Sequence, residues 1–340
     1  MKTAIITGLT GQDGYYLSEL LFDKGYKVYG LVRRSSRDSL AVFDAFEKKG
    51  GVVVYGDLRD IGALERAVDM AKPDEVYNLA AQSNVGVSFK VPEETMEIDY
   101  YGLGRLVNAV MKVRPDAHIY QASTSEMFGK TNPPQNEQSP FQPVSPYGEA
   151  KLKAHQDYVV GYRERHGLHI SSGFLFNHES PHRGEHFVTR KITLSLARIS
   201  LGLQECLELG NIDAMRDWGF AGDYVDAMWR IVQQDIPDDY VIATGETHTV
   251  RDFLILAAKE FNIDITFEGT GPEEIGKNQQ GNVIFKVNPI FYRPHEVDAL
   301  LGDSSKARQV LDWKPAVTFP ELVAMMAQHD RRMLAQSLVH

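Results

Sequence analysis

Lys2-Thr3-Ala4-Ile5-Ile6-Thr7-Gly8-Leu9-Thr10-Gly11-Gln12-Asp13-Gly14 is the stretch that decides the fold. A short apolar run, Thr3 to Thr7, ends in glycines at 8, 11 and 14, and a helical pattern opens at Gln12. A strand without polar alternation is buried on both faces, as in parallel sheets. Glycine lets the backbone turn tightly and approach a pyrophosphate, while the helix N-terminus offers N–H groups and a positive dipole. A plain βα turn with structural glycines is the alternative. The strand–turn–helix setting favours dinucleotide binding, through Gly8, Thr10, Gly11, Gln12, Asp13 and Gly14.

Outward from that turn, strand and helix alternate. Apolar runs at Ala4–Ile6, Val28–Val32, Val52–Tyr55, Glu75–Leu79, His118–Gln121 and His169–Phe176 read as strands. Helical patterns fill Gln12–Lys24, Ser39–Lys48, Ile61–Ala71, Pro92–Arg114 and a helix starting near Tyr147. This βαβ order predicts an α/β fold, a Rossmann-type doubly wound parallel sheet with its ligand beyond the carboxyl ends of the strands. After residue 176 the pattern loosens. Helices are expected at Phe187–Leu203, Ala221–Gln234, Val250–Phe261, Ser304–Leu311 and Phe319–Leu334, a strand at Tyr240–Thr244, and a surface loop over Gly269–Asn282. The expected division is a nucleotide-binding domain over 1–176, with segments near 221–245 and 285–300 returning to it. A smaller mixed α/β substrate-binding domain takes 177–220, 246–284 and 301–336.

Composition narrows the partners. The chain has 340 residues, 43% hydrophobic and 24% charged, enough for two domains with ordinary cores. A net charge of −10 argues against nucleic acid or an anionic membrane surface as partner. Cys206 is the only cysteine, so no intrachain disulfide can form. No run approaches a membrane span, and no leader-like segment precedes Thr3, so the expected location is cytoplasmic.

The end of the second strand selects the nucleotide. An acid there bonds a ribose 2′-hydroxyl, whereas arginine accommodates a 2′-phosphate. Here Arg33-Arg34-Ser35 follows Val32 with no acid, which favours NADP over NAD. Asp57, with Leu58 beside it, suits an adenine amino group; Asp57 and Asp60 both also suit a helix N-cap. Leu79, Ala81 and Ser83 end the fourth strand, where small residues leave room for ribose and phosphate.

The stretch Gln121–Lys151 carries the chemistry. Tyr147 and Lys151 are four apart and share a helix face. A lysine cation beside a tyrosine favours the phenolate, so Tyr147 is a candidate general base. Thr124 and Glu126 add a hydroxyl and a carboxylate.

The TGxxGQDG turn, the YNLAAQS strand end and Tyr147-Gly-Glu-Ala-Lys151 resemble the extended short-chain dehydrogenase/reductase family. Gln121–Gly129 (QASTSEMFG), Leu175–Pro181 (LFNHESP), Phe187–Lys191 (FVTRK) and Leu209–Gly219 (LGNIDAMRDWG) resemble its GDP-mannose 4,6-dehydratases, over Lys2 to about Lys314. The resemblance implies an NADP⁺-dependent hydro-lyase acting on a GDP-sugar. Tyr147 and Lys151, both also at the cofactor with Lys151 bonding the nicotinamide ribose, serve oxidation at C4, which makes the C5 proton α to a ketone. Thr124 bonds the C4 oxygen, and Glu126 removes the C5 proton and protonates the departing C6 hydroxyl. Hydride then returns to C6, so the cofactor is not consumed. An epimerase or reductase needs no acid at Glu126, whereas the same chemistry on a GDP-manno-heptose stays an alternative.

By the same resemblance, Ser83, Ser125 and Asn177 join Thr124 and Glu126 around the substrate, while His178 and Arg183 touch the cofactor. Lys191, Arg216 and Arg293 suit the diphosphate, and Glu296 the nucleoside ribose. His178, His182 and His186 are spaced by four, but Pro181 and Gly184 oppose a continuous helix through them, so no metal site is expected. Where these dehydratases carry an aromatic-rich run, this chain has Ala154-His155-Gln156-Asp157-Tyr158. The resemblance further implies a homodimer or homotetramer.

Overall fold

The computed structural model describes residues 1–34, 40–291 and 300–338. Seven parallel strands form the main sheet: β1 Thr3–Thr7, β2 Lys27–Val32, β3 Val52–Tyr55, β4 Glu75–Asn78, β5 His118–Thr124, β6 Ile170–Leu175 and β7 Tyr240–Ile242. Their order is β7-β6-β5-β4-β1-β2-β3, so the winding reverses between β1 and β4. That reversal opens a crevice at the carboxyl ends of the strands. Ala4, Ile6, Val76, Tyr77, Ile119 and Ile170 are fully buried, as the continuous apolar runs require.

Two groups of polar side chains in this sheet are paired. Glu75, buried in β4, accepts from Lys2 Nζ at 2.8 Å, Tyr26 Oη at 2.9 Å and Gln233 Nε2 at 3.1 Å through one oxygen, and from Tyr77 Oη at 2.7 Å through the other. At the opposite, carboxyl end, Thr7 Oγ1 donates to Asn78 Oδ1 at 2.7 Å, and Asn78 Nδ2 donates to Gln121 Oε1 at 2.7 Å. Thr7 Oγ1 also accepts from the N–H groups of Leu79 and Ala80 at 3.1 Å. This hydrogen-bonded chain ties the ends of β1, β4 and β5 into one floor beneath the crevice.

A second sheet joins Thr266–Glu268, Ile275–Lys277, Val283–Val287 and Leu207–Leu209, in that order. The helices Val188–Ser200, Val250–Lys259 and Phe319–Ser337 pack on it around Phe253, Phe285, Trp218 and Leu322. Three expected assignments change. Ile275–Lys277 is a paired strand inside the expected loop 269–282. Val283–Val287 pairs with Ile275–Lys277 and Leu207–Leu209, so the start of the segment near 285–300 belongs to the small sheet and does not return to the large one. Ser305–Leu311, expected in the smaller unit, packs with Trp313 into the core shared by Tyr224 and Tyr240 beside the main sheet. Tyr240–Ile242 does rejoin the main sheet, beside β6.

Candidate active site

One cavity of about 1350 Å³ runs along the carboxyl ends of the strands. The glycine turn forms its first wall. Gly8 has φ +74°, and a Cβ there would meet Ala80 N at 2.9 Å. A Cβ at Gly14 would meet Gly8 O at 2.5 Å. Only glycine lets this turn fold down so closely on β4 and on the helix that follows. Gly11 is the N-cap of helix Gln12–Asp23 and offers no side chain to the helix's first N–H groups. They face the cavity that Gly8, Thr10, Gly11, Gln12, Asp13 and Gly14 line. Such a cradle fits a pyrophosphate.

Two of these residues are spoken for within the protein. Asp13 Oδ2 meets His178 Nε2 at 3.0 Å, and His178 Nδ1 faces Phe176 O at 2.8 Å. Burial works against both charges, but the ion pair prevails: the His178 imidazole is raised above its usual range and the Asp13 carboxyl is held below its own. Gln12 donates from Nε2 to His178 O at 2.8 Å and accepts from Ser180 Oγ at 2.9 Å. The glycine turn is thereby locked to the segment carrying Asn177.

Arg33, Asp57, Leu58, Leu79, Ala81 and Ser83 line the cavity at its nucleotide end. Arg34 does not line it, and Ser35 lies outside the described residues. The N-cap of helix Ile61–Ala71 is Asp60, which accepts from Ala63 N at 3.0 Å. Asp57 instead holds Arg59, taking Nε at 2.9 Å and Nη2 at 2.8 Å, and this pairing lowers its carboxyl.

Thr124, Glu126, Tyr147 and Lys151 meet at the centre of the cavity. Helix Pro146–Ala154 starts on Ser145, whose Oγ accepts from Gly148 N at 3.1 Å, with Pro146 at the first helical position. A Cβ at Gly148 would meet Glu126 O at 2.7 Å, so a bare backbone is what lets Tyr147 come up against Glu126. The Glu126 carboxylate accepts no hydrogen bond from the described residues and lines the cavity. Ser125 is buried in the turn Ser125–Met127 and does not reach the cavity, against its expected contact with substrate.

The expected effect of Lys151 on Tyr147 is not what this arrangement gives. Lys151 Nζ donates to Ala122 O at 3.0 Å and sits 5.9 Å from the Tyr147 ring centroid. The Tyr147 phenol is raised above its usual value, first by burial and then by the Asp99 carboxylate, with Glu126 adding to it. Thr124 and Arg183 pull the other way and lose. Burial also lowers the Lys151 ammonium, which Asp99 resists. Asp99, 2% exposed, was not signalled by any motif. The sign of it in the sequence is an acid four residues after Thr95 and four before Leu103, on the inward face of its helix.

At the substrate end Asn177, His178, Arg183, Lys191 and Arg216 line the cavity. Lys191 lies 3.6 Å from the Phe291 ring centroid, and burial lowers its ammonium. Arg216 is 5% exposed and donates to Met215 O at 2.8 Å. Arg293 and Glu296 lie outside the described residues. The spaced histidines diverge: His178 pairs with Asp13, His182 stacks on Tyr15 at 4.0 Å, and His186 sits 4.5 Å from Phe187. His155, in the run that departs from the resemblance, is buried against Phe174 and Phe141 with Nδ1 3.2 Å from Ser172 Oγ.

A doubly wound parallel sheet, a glycine turn at its switch point and a Tyr–Lys pair across the crevice define a protein of the short-chain dehydrogenase/reductase type. UDP-glucose 4-epimerase of Thermus thermophilus, in complex with NAD, matches with a TM-score of 0.80 at 24% identity, over 96% of this chain and 98% of that one. RMD from Pseudomonas aeruginosa, complexed with NADPH, matches at 0.77 and 20%, over 97% and 99%. Both likenesses concern the fold. The family model for GDP-mannose 4,6 dehydratase matches residues 5–326. GDP-mannose 4,6 dehydratase 2 of Caenorhabditis elegans is 51% identical over 342 residues, covering 97% of this chain and 89% of the relative. The chain belongs to the GDP-mannose 4,6-dehydratase family. Among the described residues no helix is long and apolar enough to cross a membrane.

Proposed function

We propose that this protein is a GDP-mannose 4,6-dehydratase that uses NADP⁺ and releases GDP-4-dehydro-6-deoxy-D-mannose. The observation that carries the reading is the meeting of Glu126 with Tyr147, Thr124 and Lys151 in one cavity. Family membership supports it.

The glycine cradle and the open N-terminus of helix Gln12–Asp23 fit a dinucleotide pyrophosphate, and Arg33 at the second strand's end fits a 2′-phosphate. When bound, the oxidised nicotinamide brings a positive charge that favours the Tyr147 phenolate, takes up two electrons from C4 and later returns them at C6. Tyr147 then accepts the C4 hydroxyl proton, and Thr124 holds the C4 oxygen as its charge changes. With C4 a ketone, the C5 proton is acidic enough for a carboxylate to remove. Glu126 takes that proton and protonates the departing C6 hydroxyl, so water leaves across C5–C6; once C6 is reduced, Tyr147 gives the proton it took from the C4 hydroxyl to C5, which restores both side chains. Asn177, Lys191 and Arg216, which line the cavity, would hold the GDP diphosphate, a dianion that suits two cations.

The protein is expected to act as a homodimer or homotetramer. The helical face bearing Tyr100, Tyr101 and Tyr158, with Tyr101 48% exposed, is the surface that supports this, and light scattering on purified protein tests it. Activity is tested by incubation with GDP-mannose and mass spectrometry. The reading requires loss of one water with no net change in nicotinamide absorbance. Turnover of a GDP-manno-heptose with none of GDP-mannose would overturn it.

A further inference from the structure

The helix starting at Pro92 widens into a π turn at Glu97–Tyr101 before continuing as Gly102–Val113. Such single turns rotate side chains out of ordinary register and recur at functional sites. Here Glu97 pairs with Arg105 at 2.6 Å and Tyr100 Oη donates to Asp157 Oδ2 at 2.8 Å, both partly exposed. Asp99, between them, turns inward. Its Oδ1 accepts from Gln82 N at 2.8 Å. Its Oδ2 is buried and accepts from no group among the described residues.

A buried carboxylate oxygen without a donor is costly unless a cation answers its charge. The cation acting on Asp99 is Lys151. Lys151 is itself 3% exposed, and among the described residues the one hydrogen bond its ammonium makes is to Ala122 O. Two buried charges of opposite sign thus sit on helical segments packed against each other, Glu97–Tyr101 and Pro146–Ala154.

We propose that Asp99 is a positioning residue for the Tyr147–Lys151 pair: its carboxylate is the counter-ion that keeps the buried Lys151 ammonium charged. This rests on the roles given above to Tyr147 and Lys151. The Asp99–Lys151 pair then sets one anion and one cation beside a neutral phenol. The Asp99 charge raises Tyr147 as well as Lys151, so it keeps the phenol protonated until a further positive charge enters the cavity. Among the described residues, the titratable groups that act on or with Asp99 are Lys151 and Tyr147, from helix Pro146–Ala154, while Gln82 contributes its N–H from the loop after β4. Burial pushes the Asp99 carboxyl up to about 6, against Lys151 and the Gln82 N–H. As pH falls through that region Asp99 becomes neutral and Lys151 loses its counter-ion, so the parent enzyme has an acid limb there.

The test is the pH profile of kcat for GDP-mannose dehydration in the parent, Asp99→Asn and Asp99→Glu, with NADPH binding measured alongside. Asp99→Asn is expected to bind NADPH as the parent does, to lose roughly tenfold or more in kcat, since one pKa unit of lost support is a factor of ten, and to lack the acid limb. Asp99→Glu restores the limb in part. Asp99→Asn with the parent's kcat and acid limb overturns the proposal. Should Asp99→Asn fail to fold, a folded Asp99→Glu decides: a limb supports the proposal, and its absence overturns it. Tyr147→Phe separates the two levels. If it stays active, the roles given to the pair fail; if it is dead while Asp99→Asn matches the parent, only the role of Asp99 fails.

Discussion

Replacing Gly148 by alanine adds one methyl group at the closest approach in the site. The new Cβ would lie 2.7 Å from Glu126 O, 3.3 Å from Glu126 C and 3.1 Å from Pro143 Cβ, where ordinary contact begins near 3.4 Å. The first of these is backbone and cannot swing aside, so the Tyr147 helix and the Glu126 turn have to part by about 0.7 Å. Two effects on stability oppose each other. Alanine is favoured over glycine inside a helix by about 1 kcal/mol, while overpacking costs about 1–3 kcal/mol. The net loss is therefore expected to be at most about 2 kcal/mol, leaving the protein folded. Catalysis suffers more, because a misplacement near 1 Å at reacting groups costs on the order of a hundredfold. The assay is kcat and KM for water loss from GDP-mannose, with a thermal melt and an NADPH titration on the same variant. The expected result is a kcat lower by about one to two orders of magnitude, with NADPH affinity unchanged, since the glycine turn lies elsewhere. A folded Gly148→Ala with the parent's kcat would refute the claim that Tyr147 and Glu126 work together through this contact.

Two further outcomes concern the cofactor end. Arg33→Ala should weaken NADPH binding by about one to two orders of magnitude, the worth of a charge-assisted hydrogen bond, and leave NADH binding nearly unchanged; equal losses for both would show that Arg33 does not read a 2′-phosphate. The Asp13–His178 pair should make stability pH-dependent. His178 is raised from its ordinary 6.5, so its contribution is full below that value and is lost as pH climbs through the raised one. Asp13 is lowered from its ordinary 3.8, so its contribution is present above that value and is lost as pH falls. The melting temperature of His178→Gln should thus trail the parent's most between about pH 4 and 6.5, and less at alkaline pH; a constant gap would count against the ion pair.

The sheet and the chemistry were legible in the sequence because each rests on local pattern. Ala4–Ile6 is continuously apolar because it is buried on both faces, and the glycines at 8 and 14 are bare because backbone lies against them. Thr124, Glu126, Tyr147 and Lys151 converge because β5 ends and the helix Pro146–Ala154 starts at the crevice. The small sheet was hidden. Ile275–Lys277 has three residues, too few to show alternation, and its central Gly276 packs against Ile265 and Phe285. Trp313 carries no mark of which core it will enter; the backbone of Asp223, accepting its indole N–H at 2.8 Å, decides that. The direction of the Tyr147 shift was missed for a related reason. Spacing shows the Lys151 charge on the same helix face, but only the folded chain brings in burial and the carboxylate of Asp99.

The claim at the centre is that oxidation at C4 serves elimination by Glu126, and a single-turnover experiment on Glu126→Gln tests it most directly. NADP⁺-loaded variant is mixed with GDP-mannose while reduced-nicotinamide absorbance and water loss by mass spectrometry are followed together. The expected result is a rise in reduced nicotinamide, because Tyr147 and Lys151 are intact, with no loss of water. Water lost at the parent's rate would contradict the role of Glu126 and with it the reading of the site.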